Sequence, residues 1–238
     1  MDTAMPDTAQ PASENRLLAA LYGEEYERLA PHLELLTLGQ SQVLFRPDER
    51  IRHVYFPTTS VVSLLTSLED GSGMEVGLVG REGVVGISAI LGGSETKVAT
   101  VQGAGAALRL EADKLRAEFG RGGTLQTALL RYTHALITQV SQSVVCNARH
   151  QVEGRMARWL CMFHDRLDRD EFELTHEFMA DMLGVRRASV SEVAEKLQEM
   201  GFIRYQRGHI TMLDRKGLEE FVCECYTVVK EKFDALAP

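Results

Sequence analysis

Residues 175–197 read THEFMADMLGVRRASVSEVAEKL, and the fold turns on them. Thr175 is a residue type that caps helix N-termini, and Glu177 puts an acid in the first turn. Phe178, Met179, Met182 and Leu183 give that helix an apolar face, and Gly184 stops it where a left-handed residue is needed. A second helix follows, with Val190, Val193, Ala194 and Leu197 at helical spacing. Small Ala180 lets the two helices approach closely. The pattern predicts a helix-turn-helix.

The second helix leaves Arg186, Arg187, Ser189, Ser191, Glu192 and Lys196 outside this apolar set. Guanidinium, hydroxyl and carboxylate groups read base edges and grip phosphates. The base-contacting candidates are Arg186, Arg187, Ser191 and Glu192. Glu192 either accepts from a cytosine amino group or pairs with Arg186 or Arg187 in the free protein. Downstream, Phe202–Tyr205 and His209–Met212 flank Gln206-Arg207-Gly208, the pattern of a β-hairpin with a basic tip, a wing. Thr175, His176, Ser189, Arg207 and His209 are the candidates for contact with the nucleic-acid backbone. A plain helical hairpin with solvated charges shows the same periodicity. The coincidence of turn, apolar interior, basic face and wing favours DNA.

Upstream, the texture from about residue 33 to 110 is different. Short apolar runs (HLELLTL, QVLF, HVYF, SVVSLLTSL, MEVGLV, VATV, AALRL) alternate with turn residues, and ten of the twenty glycines fall between 71 and 105. That describes an antiparallel β-sandwich or roll, with its clearest hairpin signal at Glu69-Asp70-Gly71-Ser72-Gly73. Residues 16–30 read as a helix and 1–15 as a disordered tail. From Leu125 to Ala148 no Gly or Pro interrupts a long helix. Leu125, Leu129, Tyr132, Leu136 and Val140 form one apolar stripe. Leu130, Ile137 and Val144 recur every seven residues on a second, the spacing of a seam with another copy of the chain; the alternative is one wide face buried within a monomer. The expected organisation is a tail (1–15), a β-roll sensor (16–120), a dimer helix (121–148) and a winged helix-turn-helix (149–238), an α+β fold.

The 238 residues are 45% apolar and 25% charged, with nine Phe, six Tyr and one Trp, which excludes a largely disordered chain. The net charge of −8 is unevenly spread. Residues 185–216 carry seven basic and four acidic residues, so a local phosphate-binding face is compatible with an acidic whole. No apolar run reaches membrane-spanning length, and the N-terminus lacks the basic start and apolar stretch of a secretory signal. Four cysteines are too few for a disulfide framework, which makes a reducing cytoplasm the expected compartment. Cys223-Glu224-Cys225 is a close thiol pair with no further ligands nearby in sequence, so no metal site is expected. GxxxxGK[ST] and GxSxG motifs are absent, and His32 and His53 form no His-x-His pair. No enzymatic activity is expected.

Taken together, the chain resembles the Crp/Fnr family of bacterial transcription regulators over roughly residues 16–216. The run Gly184–Val193 and Gly154-Arg155-Met156-Ala157 carry most of the likeness. The resemblance implies a cyclic-nucleotide-binding type of roll and a homodimer. It also implies a near-palindromic double-stranded DNA site read by two helices about 34–36 Å apart, and RNA polymerase as a further partner. It places an effector pocket at Gly86, Ile87, Ser88, Lys97, Val98, Val140 and Ser141.

There the chain departs from the cyclic-AMP members. Their Gly-Glu-Leu turn is replaced by Gly86-Ile87-Ser88, which removes the ribose-binding carboxylate. Their phosphate-holding Arg-Ser or Arg-Thr pair falls near Lys97-Val98, and Val140 stands where a threonine precedes the residue matched by Ser141. A phosphate without its bidentate arginine loses its strongest contact, which argues against cyclic AMP and for another effector or none, with a cyclic-nucleotide-responsive regulator of degenerate pocket as the alternative. Residues 1–30 hold no cysteine, so the iron–sulfur cluster of the oxygen-sensing branch is not expected. Ala188 and Glu192 stand where better-known members have a glutamate and, four residues on, an arginine. That predicts a different target site, or, as an alternative, a protein–protein regulator that keeps the fold without binding DNA. Arg187 matches a position where the family often has a base-contacting arginine.

Overall fold

Each of the seven apolar runs forms a strand. The computed structural model describes residues 12, 14–21, 23–69, 73–92, 96–167 and 169–236. The strands are β1 (Glu34–Leu38), β2 (Val43–Phe45), β3 (His53–Pro57), β4 (Val61–Ser67), β5 (Gly73–Val79), β6 (Val98–Gly103) and β7 (Gly105–Glu111). They build two antiparallel sheets, ordered β1-β7-β3 and β2-β6-β4-β5. Side chains alternate across a strand, and the inward rows, among them Leu38, Val54, Phe56, Leu78, Leu108 and Leu110, make one buried core. Of the hairpin signal at 69–73, Asp70, Gly71 and Ser72 lie outside the described residues. The pairing of Ser67 with Gly73 on either side follows the expectation.

Two boundaries change at the N-terminus. The helix expected over 16–30 is two, α1 (Arg16–Ala19) and α2 (Glu24–Leu29), separated at Gly23, whose φ of +60° is left-handed. The expected tail lies mostly outside the described residues, but its inner end is docked. Asn15 accepts from the Leu17 and Leu18 N–H groups and donates to Pro57 O and Gly83 O at 2.8 and 2.9 Å. A buried amide so fully bonded belongs to the roll.

A short helix, α3 (Ser88–Leu91), interrupts the roll, and α4 (Ala112–Arg121) leaves it. Gly122 and Gly123, both at positive φ, turn the chain into α5 (Gly123–Arg149), the expected long helix. Leu125, Leu129, Tyr132 and Leu136 are buried against the roll. Tyr132 Oη donates to Val84 O at 3.1 Å, and Gln139 accepts from the Leu78 N–H at 3.0 Å.

The C-terminal region holds α6 (Val152–His164), β8 (Glu171–Glu173), α7 (His176–Leu183), α8 (Arg187–Glu199), β9 (Ile203–Gln206) and β10 (His209–Met212). It ends in α9 (Arg215–Phe221) and α10 (Cys225–Asp234). The wing is a three-stranded sheet, β8-β10-β9. Phe233 of α10 reaches back to Tyr132 of α5, ring centroids 6.4 Å apart. The region is tied to the roll by Trp159 Nε1, which donates to Glu75 Oε1 at 3.0 Å, and by Arg166 Nε, which meets Glu82 at 2.8 Å.

Candidate nucleic-acid interface

The first N–H groups of a helix have no partner within it. In α7, Thr175 Oγ1 accepts from the Phe178 N–H at 3.2 Å. The helix ends on Gly184 at φ +61° and ψ +45°, a conformation that costs glycine little. The Val185 N–H then bonds Ala180 O at 3.0 Å. Ala180, Leu183, Val190, Val193, Ala194 and Leu197 are buried behind the turn, so one small apolar core orients both helices. The turn also rests on the roll: a Cβ added at Gly184 would stand 2.7 Å from Met74 Cε of β5.

Arg186 is the N-cap of α8 and Arg187 its first residue. Arg186, Arg187, Glu192 and Lys196 are exposed. The carboxylate that meets Arg187 is that of Glu177, 3.8 Å away, not that of Glu192. Ser189 is half-buried.

Two of the expected contact residues also bond each other. Ser191 Oγ lies 2.8 Å from His176 Nδ1, and donates to Arg187 O at 3.2 Å. The His176 ring stacks on Tyr205 of β9, centroids 4.1 Å apart. The pair thereby bridges α7, α8 and the wing. Burial, helped by the nearby Arg187 charge, lowers the His176 pKa below the ordinary imidazole value.

In the wing, Arg207 and Gly208 have φ of +52° and +84°. Two central residues at positive φ make the two-residue turn whose twist suits a hairpin. Arg207 and His209 are exposed, and with Arg204, Gln206, Thr211 and Glu171 they line one open depression.

On α5, Leu130, Ile137 and Val144 are 50%, 58% and 64% exposed, and Val145 51%. Beside this stripe a cavity of about 430 Å³ opens against the roll. Six of the seven expected pocket residues line it: Gly86, Ile87, Ser88, Lys97, Val140 and Ser141. Val98 does not, lying half-buried in β6. Most of the remaining wall is apolar, from Leu64, Val84, Leu91, Leu136 and Ile137.

With roll, long helix and winged helix-turn-helix in place, family comparisons agree with the architecture. The cyclic nucleotide-binding domain family matches residues 35–121, and the Crp-like helix-turn-helix domain family matches residues 154–221. The chain belongs to the Crp/Fnr family. Its fold is similar to that of a Crp/Fnr-family protein from Eubacterium rectale (TM-score 0.68, 15% identity, covering 87% of this chain and 98% of that one). It is also similar to FixK2 from Bradyrhizobium japonicum (TM-score 0.68, 17% identity, 80% and 98%). A third likeness is to a Crp/Fnr-family transcriptional regulator from Thermus thermophilus (TM-score 0.62, 22% identity, 79% and 97%). No curated protein matches the sequence. Crp/Fnr proteins are transcription regulators, not an enzyme family, and this one carries both a DNA-binding helix-turn-helix and a cyclic-nucleotide-binding type of domain. Among the described residues no helix is long and apolar enough to cross a membrane.

In this Crp/Fnr chain two features escaped the sequence reading. Glu75, buried between Ser63 and Trp159, joins roll to DNA-binding region, and nothing in the spacing of residues 84 apart announces it. The thiols are the other. Cys223 and Cys225, expected to lack further ligands, have Cys146 and His150 beside them, all four donor atoms within 4.8 Å of one another. That corrects the expectation of an isolated pair: 77 residues separate Cys146 from Cys223, and only the packing of α10 on α5 brings them together.

Proposed function

We propose that the chain regulates transcription as a homodimer that sets one α8 helix from each subunit into successive major grooves of a near-palindromic operator. The observation that carries this is the exposed N-terminal end of α8, where Arg186, Arg187 and Glu192 face outward while Val190, Val193 and Leu197 anchor the helix from behind. In this reading Arg187 binds guanine O6 and N7 as a fork, and Glu192 accepts from a cytosine amino group. Thr175, His176, Ser189, Arg207 and His209 stand nearest the sugar-phosphate backbone in this reading. The exposed heptad stripe of α5 supports the pairing, since such a stripe in water is costly unless a second copy covers it. RNA polymerase is the partner on which the bound dimer acts. The sensor is the roll through α4, α5 the dimer helix, and α6 onward the DNA-binding domain.

The cavity beside α5 is the effector site in this reading. Its largely apolar wall, with Lys97 in place of an arginine–hydroxyl pair, favours a small ligand with an apolar body over cyclic AMP. Ile137 belongs to both the cavity wall and the exposed stripe, so a ligand there touches the surface through which the subunits pair.

Selection of binding sites from random duplex DNA by the full-length protein tests the proposal. The expected product is an inverted repeat with half-site centres about 10–10.5 base pairs apart. Recovery of unselected sequence at every salt concentration would overturn it in favour of a regulator that binds other proteins.

A further inference from the structure

From the convergence of Cys146, His150, Cys223 and Cys225 we infer a closed, tetrahedral zinc site that fastens the C-terminal helix to the end of the long helix. The site lies outside both family matches, which span residues 35–121 and 154–221, and it stands independently of the DNA reading. Cys146 sits in the last turn of α5, and His150 is the C-cap four residues on. Cys225 opens α10, and Cys223 lies two residues before it. Three sulfurs and one imidazole are the donor set of a structural zinc centre.

The spacing fits one ion. Zinc–sulfur bonds of about 2.3 Å and a zinc–nitrogen bond of about 2.0 Å put tetrahedral neighbours roughly 3.5–3.8 Å apart. Cys146 Sγ and Cys223 Sγ are 3.6 Å apart, and Cys225 Sγ and His150 Nδ1 are 3.5 Å apart. Ligands spread over the separate irons of a cluster stand wider than this group, whose members all lie within 4.8 Å.

The surroundings give an independent indication. His150 turns Nδ1 to the sulfurs, and its Nε2 lies 3.5 Å from Glu224 Oε2. A carboxylate on the far nitrogen of the imidazole is what orients a histidine ligand on zinc. Gln142 Nε2 donates to Cys225 Sγ at 3.1 Å, as amides do to metal-bound thiolates. Cys146 and Cys225 are buried while Cys223 and His150 are half-buried, which leaves a path from solvent. On binding, the three thiols release their protons and the imidazole stays neutral. Four protein ligands leave no open position, so the ion is structural, not catalytic.

The test is metal analysis of the full-length protein purified under reducing conditions, followed by chelation and refilling with cobalt(II). One zinc per chain is expected, with thiolate-to-cobalt charge-transfer absorption and the intense visible bands of a tetrahedral ion on refilling. Cys223→Ser should abolish stoichiometric zinc, and Cys161→Ser should retain it. Glu224→Gln should weaken zinc binding by about 10–100-fold. If Cys223→Ser does not fold, His150→Ala, altering a half-buried ligand, is measured in its place. Protein without zinc that gives no thiolate–cobalt band would overturn the inference, as would iron with acid-labile sulfide or a Cys146–Cys223 disulfide.

Discussion

Arg187 and Arg207 are both exposed cations near the expected DNA, yet they differ in what they can read. A fork over guanine discriminates among bases, whereas a charge on phosphate does not. Arg187→Ala is expected to relax preference at one base pair by about 1–3 kcal/mol, measured as competition across single-base variants of the operator. For Arg207 the replacement of choice is Asn, because the residue sits at positive φ and Asn tolerates that region better than most. Arg207→Asn should weaken all sequences alike and lower the salt slope by about 1. Equal behaviour of the two variants would refute their separate roles. His176 adds a pH dependence. Its pKa is lowered in the folded state, so below the ordinary imidazole value of 6.5 the unfolded chain takes up the proton first, and stability falls as the pH falls. His176→Phe, keeping the stack on Tyr205, should remove that acid loss in denaturant titrations. Arg187 was legible in the sequence because helical phase alone places it outside the apolar face. The bond between Ser191 and His176 was not, since phase assigns a face and leaves the rotamer open.

At the scale of elements, α5 has two apolar stripes with different fates. Leu125, Leu129, Tyr132 and Leu136 are buried in the chain's own roll, while Leu130, Ile137 and Val144 remain open. Ile137→Glu places a charge in the middle of the open stripe without disturbing the buried one. Sedimentation should show monomers, with unchanged far-ultraviolet circular dichroism and a loss of operator affinity of at least about tenfold. A dimer that survived the change would locate the pairing elsewhere. The seven strands of the roll and the helix-turn-helix could be read because each is a run of apolar residues bounded by turn chemistry. Strand β8 could not: Glu171-Phe172-Glu173 offers one buried side chain between two exposed ones, too short for a period. The helix expected over 16–30 showed the right apolar residues, but its break at Gly23 depends on a left-handed turn that periodicity does not register.

Across the molecule, roll and DNA-binding region meet through polar groups that only the assembled fold brings together. Burial is the main cause that lifts the Glu75 pKa to about 7, against the hydrogen bonds from Ser63 and Trp159 and the charges of Arg158 and Arg166. Between the ordinary carboxyl value of 4.5 and about 7 the native state therefore keeps a proton that the unfolded chain has lost. Stability must fall as pH rises through that window, the opposite slope to that from His176. Glu75→Gln should flatten it. Trp159 is the one tryptophan and donates to Glu75, so its fluorescence reports directly on this junction during the titration.

The hairpin of β4 and β5 carries Leu64 in the wall of the cavity and, on its other strand, Met74 beneath Gly184. One short ribbon therefore touches both the cavity and the turn that sets the angle of α8. Thermodynamic reciprocity then binds the two events: whatever factor a ligand applies to operator affinity, the operator applies to the ligand. Calorimetry of a compound that fits the cavity, with and without duplex, would disclose whether such a ligand tightens or loosens the grip on DNA.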